Sequence, residues 1–344
     1  MALKRQTFSS PMRFNLTRFN FTRFKNWLQP PWCKAFLLTI VAAGLAVNGI
    51  AWMQARAMTH YIEGKDRTTR PEKLSLAEKV GVVLTGVRFP RPVNYQTPEK
   101  IGLAYETHQI ELSNEEKLEA WFVPVVSPRG IVLLFPPYGG SKQSLLAPGK
   151  ILHDLGYELL LVDFRGVGGS SGSDTTLGVR EAEDVVQAIA YVQRRWSGRP
   201  IVLYGASMGA AAVMRAIAHE RVSPTAIILE SPFDRLLNTV RHRFEAMGIP
   251  SFPAAELIVG WGGWQQHIDG FAHNPIEYAK QIKCPTLLMY GKDDKRVTLQ
   301  EVQAIFDHLP GQKQFAVFSG VGHGSLATDA PLKWKQQVQN FLQN

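Results

Sequence analysis

Four short stretches of this chain are almost wholly apolar: Ile131–Phe135 (IVLLF), Glu158–Val162 (ELLLV), Ile201–Tyr204 (IVLY) and Ala226–Glu230 (AIILE). A strand with one face in water alternates apolar and polar residues. A continuous apolar run instead fits a strand covered on both faces, as in a parallel sheet flanked by helices. The surrounding pattern agrees. Strands are expected at His108–Leu112, Lys117–Val123, Gly130–Phe135, Tyr157–Asp163, Pro200–Tyr204, Ala226–Glu230, Pro285–Tyr290 and Gln314–Phe318. Helical stretches fall between and after them at Leu145–Leu155, Val179–Trp196, Ala210–His219, Thr298–His308 and Pro331–Leu342. Such alternation implies an α/β fold: a mostly parallel eight-stranded sheet with helices on both faces and right-handed crossovers. The short turn Ser113–Glu116 makes the first two strands an antiparallel hairpin. Residues 232–283 interrupt the alternation with an aromatic, glycine-rich stretch, read as a helical cap over the carboxyl edge of the sheet.

Ahead of this body, Ala35–Met53 is 19 residues without a charge. At about 1.5 Å per residue it spans roughly 28 Å, close to the hydrocarbon thickness of a bilayer. Residues 1–34 carry seven Lys and Arg and no Asp or Glu, and Trp27, Trp32 and Trp52 flank the run. Charge asymmetry and interfacial aromatics together predict one transmembrane helix with a cytoplasmic amino terminus and an extracytoplasmic body. Ala55-Arg56-Ala57 would serve as a signal-peptide cleavage site, giving a secreted protein if cut after Ala57. The long basic leader favours a retained anchor. Arg-Phe pairs at Arg13, Arg18 and Arg23 belong to that leader, read as a disordered positive tail. The expected organisation is a tail at 1–34, an anchor at 35–53, a polar tether and lead-in at 54–91, and the α/β domain at 92–344.

The net charge of +9 would suit a nucleic-acid partner, but without the tail 31 basic residues face 29 acidic ones. The body is nearly neutral, so nucleic acid is not expected as a partner. Cys33 and Cys284 lie before the apolar run and deep in the body and are not expected to pair.

One serine stands out. Ser207 follows a buried strand and precedes an alanine-rich helix, inside Gly205-x-Ser207-x-Gly209. A nucleophile on a sharp strand-to-helix turn takes strained backbone angles, and large neighbours would clash with it. The helix start also supplies unpaired N–H groups, of which that of Met208 comes first, to receive a developing oxyanion. A serine hydroxyl needs a base and an orienting acid. Two later loops offer them: Tyr290–Val297 contains Asp293 and Asp294, and Ser319–Gly324 contains His323 between Gly322 and Gly324. Both follow strand ends, where sites form in such sheets. No zinc or phosphate-loop pattern is present, and no metal or cofactor is called for.

From about Pro92 onward the chain resembles the α/β-hydrolase superfamily, in its serine-aminopeptidase-like and acyl-hydrolase-like branch. The resemblance rests on the G-x-S-x-G turn, on Asp163-Phe164-Arg165-Gly166-Val167-Gly168-Gly169-Ser170 after the fourth strand, and on Gly291-x-x-Asp294-x-x-Val297. It implies a triad of Ser207, Asp294 and His323, with Glu230 structural and Asp293 a turn residue. It also implies a second oxyanion donor after the third strand. There Pro136-Pro137 replaces the family's His-Gly pair. Prolines have no N–H to donate, which leaves the Tyr138 N–H in the donor position. Asp163 and Arg165 are expected to organise their loop. Phe233, Trp261 and Trp264 are candidates for substrate contact, as are His267 and His273.

The expected function is that of a membrane-anchored serine hydrolase acting on a small acyl ester or thioester. A serine peptidase, an acyltransferase and a non-catalytic anchored binding module are the alternatives.

Overall fold

The computed structural model describes residues 30–64, 68, 74–113 and 115–343. The basic tail up to residue 29, with its Arg-Phe pairs, lies outside the described residues, as does Asn114 in the hairpin turn. The chain divides into two units, Met1–Val47 and Asn48–Asn344.

The described part of the first unit is the start of helix α1, Pro31–Thr59, which is long and apolar enough to cross a membrane. Trp32, Phe36, Leu38 and Leu45 are exposed along it.

The second unit is built on one sheet. Its strands are β1 (Glu106–Glu111), β2 (Lys117–Val123), β3 (Ile131–Phe135), β4 (Glu158–Val162), β5 (Ile201–Ala206), β6 (Ala226–Glu230), β7 (Thr286–Gly291) and β8 (Lys313–Phe318). Their order in space is β1-β2-β4-β3-β5-β6-β7-β8, with antiparallel pairs only at β1–β2 and β2–β4. The fold class is the expected one, with strand ends within two residues of those read from the pattern.

Side-chain alternation divides the apolar runs between two cores. Ile131, Leu133, Phe135, Leu203 and Leu229 face one layer, where α4 (Glu181–Arg195) and α5 (Met208–Glu220) pack. Val132, Leu134, Val202, Tyr204 and Ile228 face the other, under α3 (Leu146–Asp154) and α11 (Pro331–Gln343). Each of these central strands is therefore buried on both faces, which explains why its sequence shows no polar alternation. Between β6 and β7 come α6 (Leu236–Met247), α7 (Ala254–Gln266) and the short α8 (Pro275–Ala279). After β7 and β8 come α9 (Leu299–His308) and α10 (Leu326–Asp329).

The lead-in is less of a tether than its polarity suggests. Helix α1 runs past the uncharged stretch, and Ala51 and Ala55 on its last turns join Val240, Ala255, Ile258 and Val259 in a third apolar cluster. Helix α2 (Leu76–Thr85) is held by a Ser75–Glu78 capping box, and Gln54 Nε2 donates to the carbonyls of Val82 and Val83. Lys79 Nζ donates to the Met247 carbonyl at 2.9 Å. Beyond α1, the Tyr61 N–H donates to the Ser173 carbonyl and the Thr175 N–H to the Thr59 carbonyl, each at 2.8 Å. These attachments run through backbone groups, which a reading by side-chain composition alone does not see.

Candidate active site

Ser207 joins β5 to α5 with φ 52° and ψ −109°. A non-glycine residue there costs on the order of 1–3 kcal/mol and persists only where surrounding structure enforces it. The enforcement is visible. The Ser207 N–H donates to the Glu230 carbonyl at 2.7 Å, and the Ala211 N–H donates to the Ser207 carbonyl at 3.0 Å. A Cβ on Gly205 would lie 2.6 Å from the Ala210 nitrogen, and one on Gly209 would lie 2.4 Å from the Phe135 carbonyl oxygen. The two glycines let the turn fold back on itself and against the end of β3.

The two later loops meet this turn. His323 Nε2 lies 3.1 Å from Ser207 Oγ, and His323 Nδ1 lies 2.6 Å from Asp294 Oδ2. The Asp294 side chain is fully buried, and that of His323 is 14% exposed. Asp294 Oδ1 accepts the N–H groups of Arg296 at 2.7 Å and Val297 at 3.1 Å, so the carboxylate cannot rotate freely. The Asp293 N–H donates to the Val321 carbonyl at 2.9 Å, tying the acid loop to the histidine loop.

Met208 is the first residue of α5, where an N–H has no partner within the helix. The loop carrying Tyr138 is closed by the Gly140 N–H donating to the Pro137 carbonyl at 3.0 Å. The Pro136 carbonyl oxygen lies 2.8 Å from where a Cβ on Gly209 would sit, so this loop abuts the serine turn. The Tyr138 hydroxyl donates to the Met58 carbonyl at 2.7 Å.

An apolar hollow lies between the end of α1 and helices α6 and α7. Ala55, Met58, Leu177, Leu236, Val259 and Gly262 are among the residues that line it. Phe233, Trp261 and Trp264, the sequence candidates for substrate contact, do not. Phe233 is buried edge-on to His273, Trp261 Nε1 donates to Asn48 Oδ1 at 3.2 Å, and Trp264 is exposed. Helix α7 offers the hollow Ile258, Val259, Gly262 and Gly263, while its tryptophans lie elsewhere on the helix. Richness in aromatics does not tell which face they occupy. His267 ends α7 in a left-handed conformation. His273 is fully buried, with Nδ1 3.0 Å from the Tyr278 hydroxyl and Nε2 3.1 Å from the Leu177 carbonyl. Burial pushes its imidazole down to about 3, so it stays neutral and ties the cap to the loop at Leu177.

Sequence reasoning missed Lys142, a residue with no exposure whose ammonium donates to Glu119 Oε1 at 2.7 Å and also to Asp163. Asp163 further accepts from Asn94 Nδ2 at 2.7 Å and from the Gly169 N–H at 3.0 Å. Arg165 pairs with Asp184 and Glu183. Both residues thus brace their loop as expected. The only signal for Lys142 was its place two residues after Gly140, in a loop already flagged for other reasons. Glu181 was also missed. It gathers the Thr176 and Gly178 N–H groups and both threonine hydroxyls of the 175–178 loop.

Glu230 packs under the site, accepting Trp334 Nε1 at 2.5 Å. Burial pushes its carboxyl up to about 7, against the hydrogen bonds from Trp334 and Tyr204. A folded value above the ordinary 4.5 means the native state holds a proton that the unfolded chain releases. Stability from this group is therefore full below about 4.5 and falls as pH rises toward about 7. Glu230→Gln removes the titration. Thermal melts on both sides of that window should show the variant gaining on the parent as pH rises, by at most about 3 kcal/mol. A parallel pH profile for the two proteins would contradict this.

Comparison with known proteins places these features. A family model described as serine aminopeptidase, S33, matches residues 126–255. An esterase of Pyrococcus furiosus, Pf2001, superposes with a TM-score of 0.64 at 24% identity, covering 74% of this chain and 96% of that one. The chain has the α/β-hydrolase fold. Among curated relatives of this α/β-hydrolase, the lysophosphatidylserine lipase ABHD12 of Danio rerio is 29% identical over 278 residues, 69% of each chain. The same enzyme of Macaca fascicularis is 27% identical over 241 residues, 65% of this chain but only 58% of that protein. The Bacillus subtilis protein YqkD, described as uncharacterized, is 25% identical over 215 residues, 60% of this chain and 69% of that one. The coarse conclusion is that this α/β-hydrolase is a serine hydrolase.

Proposed function

We propose that this α/β-hydrolase is a membrane-anchored carboxylic ester hydrolase, acting on a small molecule with one acyl chain through an acyl-enzyme on Ser207. The observation that carries the reading is the succession Ser207 Oγ, His323 Nε2, His323 Nδ1, Asp294 Oδ2 at hydrogen-bonding distances. Asp294 accepts the Nδ1–H, leaving Nε2 to accept the serine proton. As the Ser207 Oγ–carbon bond forms, that proton passes to His323 and negative charge gathers on the substrate oxygen. The N–H groups of Met208 and Tyr138 receive it. Collapse breaks the ester bond, and the leaving alcohol or thiol takes the proton from His323. Water then repeats the sequence, releasing the acid and restoring Ser207.

Substrate class rests on two supports: the apolar hollow and the lysophosphatidylserine lipases among the relatives. The membrane reading rests on α1 and the basic tail before it, with the amino terminus cytoplasmic and the body on the opposite side. Retention of the anchor is favoured because a cut after Ala57 would remove Ala51 and Ala55 from the third apolar cluster. The family-model description keeps a peptidase as the second reading.

Full-length protein in detergent, offered acyl esters and aminoacyl amides side by side, is expected to hydrolyse the esters at least about a hundredfold faster in kcat/KM, a margin within the range set by matched and mismatched substrate contacts. Turnover of the amides alone would establish the peptidase. Acyl transfer to an added alcohol in preference to water would establish a transferase.

A further inference from the structure

The last turn of α1 does more than join an anchor to a domain. The final carbonyls of a helix have no partner within it and accept from elsewhere. Here the Met58 carbonyl accepts the Tyr138 hydroxyl at 2.7 Å, and the Thr59 carbonyl accepts the Thr175 N–H at 2.8 Å. These are the two loops beside the serine turn. The Tyr138 loop abuts Gly209 through the Pro136 carbonyl, and Thr175 Oγ1 lies 3.5 Å from the sulfur of Met208. The same helix turn turns inward as well: Ala55, Met58 and Thr59 line the apolar hollow opposite Val259, Gly262 and Leu236. On α7, Gly262 leaves room there, since an added Cβ would meet only the Ala55 Cβ, at 3.8 Å.

We propose that Ala55 and Met58 of α1, facing Gly262 of α7, form the wall of an acyl-chain subsite next to Ser207, so that the end of the anchor helix sets the chain length the enzyme accepts. The inference rests on the reading of Ser207 as nucleophile. Its occupant is one acyl chain of an ester. The lining is almost entirely apolar, and the carbonyls that would make the helix end polar are taken up by the two loops.

The test uses full-length protein in detergent micelles with p-nitrophenyl acetate and p-nitrophenyl decanoate. Gly262→Leu fills the hollow and should lower the decanoate-to-acetate ratio of kcat/KM by about tenfold, the scale on which a hydrophobic pocket discriminates methylenes. Met58→Ala widens it and should raise that ratio several-fold, and this second variant decides the matter if the first does not fold. A merely structural role would change both esters in parallel, so an unchanged ratio in the folded variants, with Ser207-dependent hydrolysis intact, would overturn the inference alone. Hydrolysis of neither ester by the parent protein would overturn the reading of Ser207, and the inference with it.

Discussion

Replacing Ser207 with alanine is expected to lower ester turnover by about a millionfold, the scale seen when a triad serine is removed. Alanine fits the same turn, since Gly205 and Gly209 and not the hydroxyl provide the space. The thermal midpoint should therefore move by no more than a few degrees, roughly the effect of a conservative change. On the proposed mechanism the three side chains act as one device. A Ser207→Ala, His323→Ala double variant should be no slower than Ser207→Ala alone, because non-additivity is the mark of a unit. Steady-state hydrolysis of a chromogenic ester checks both statements. Additive losses would mean that His323 contributes by a route independent of Ser207.

The second large effect follows from how Asp294 is held. Its Oδ1 already accepts the Arg296 and Val297 N–H groups, and Oδ2 faces His323 Nδ1. In Asp294→Asn the amide oxygen must stay with the two backbone donors, which turns the NH2 group toward His323. Nδ1 then becomes an acceptor and the ring proton moves to Nε2, which can no longer take the proton from Ser207. Activity is expected to fall about ten-thousandfold through this wrong tautomer, with little change in KM. A loss under about tenfold would point to another acid orienting His323. Asp293 and Glu230 are the neighbouring acids. The first is tied by its backbone to Val321, and the second is occupied by Trp334.

Much of the architecture was legible because burial writes itself into sequence in a simple way. A strand covered on both faces has no polar position to alternate, so IVLLF, ELLLV, IVLY and AIILE marked the centre of the sheet directly. Gly205 and Gly209 were equally legible, since a residue with no side chain beside a lone serine announces a close approach. The lead-in was not. Its attachment runs through backbone groups of Thr59, Tyr61 and Thr175 and through small residues such as Ala55, none of which carries a distinctive side-chain signal. The Ser75–Glu78 capping box was present in the sequence and would have revealed α2. Substrate contacts were the least legible part. A hollow is defined by what is missing from it, so Gly262 and Met58 line this one while the conspicuous Trp261 and Trp264 do not. Lys142 shows the same limit for charge. Its role depends on Glu119 arriving from β2 and Asp163 from the loop after β4.

The central claim is that Ser207 alone among the serines is made reactive by its turn, its base and the N–H groups beside it. Treating the full-length protein with a fluorophosphonate and mapping the adduct by peptide mass spectrometry tests this most directly. The account predicts one adduct, on Ser207, that disappears in His323→Ala. No adduct, or a stable adduct on a different side chain, would contradict it.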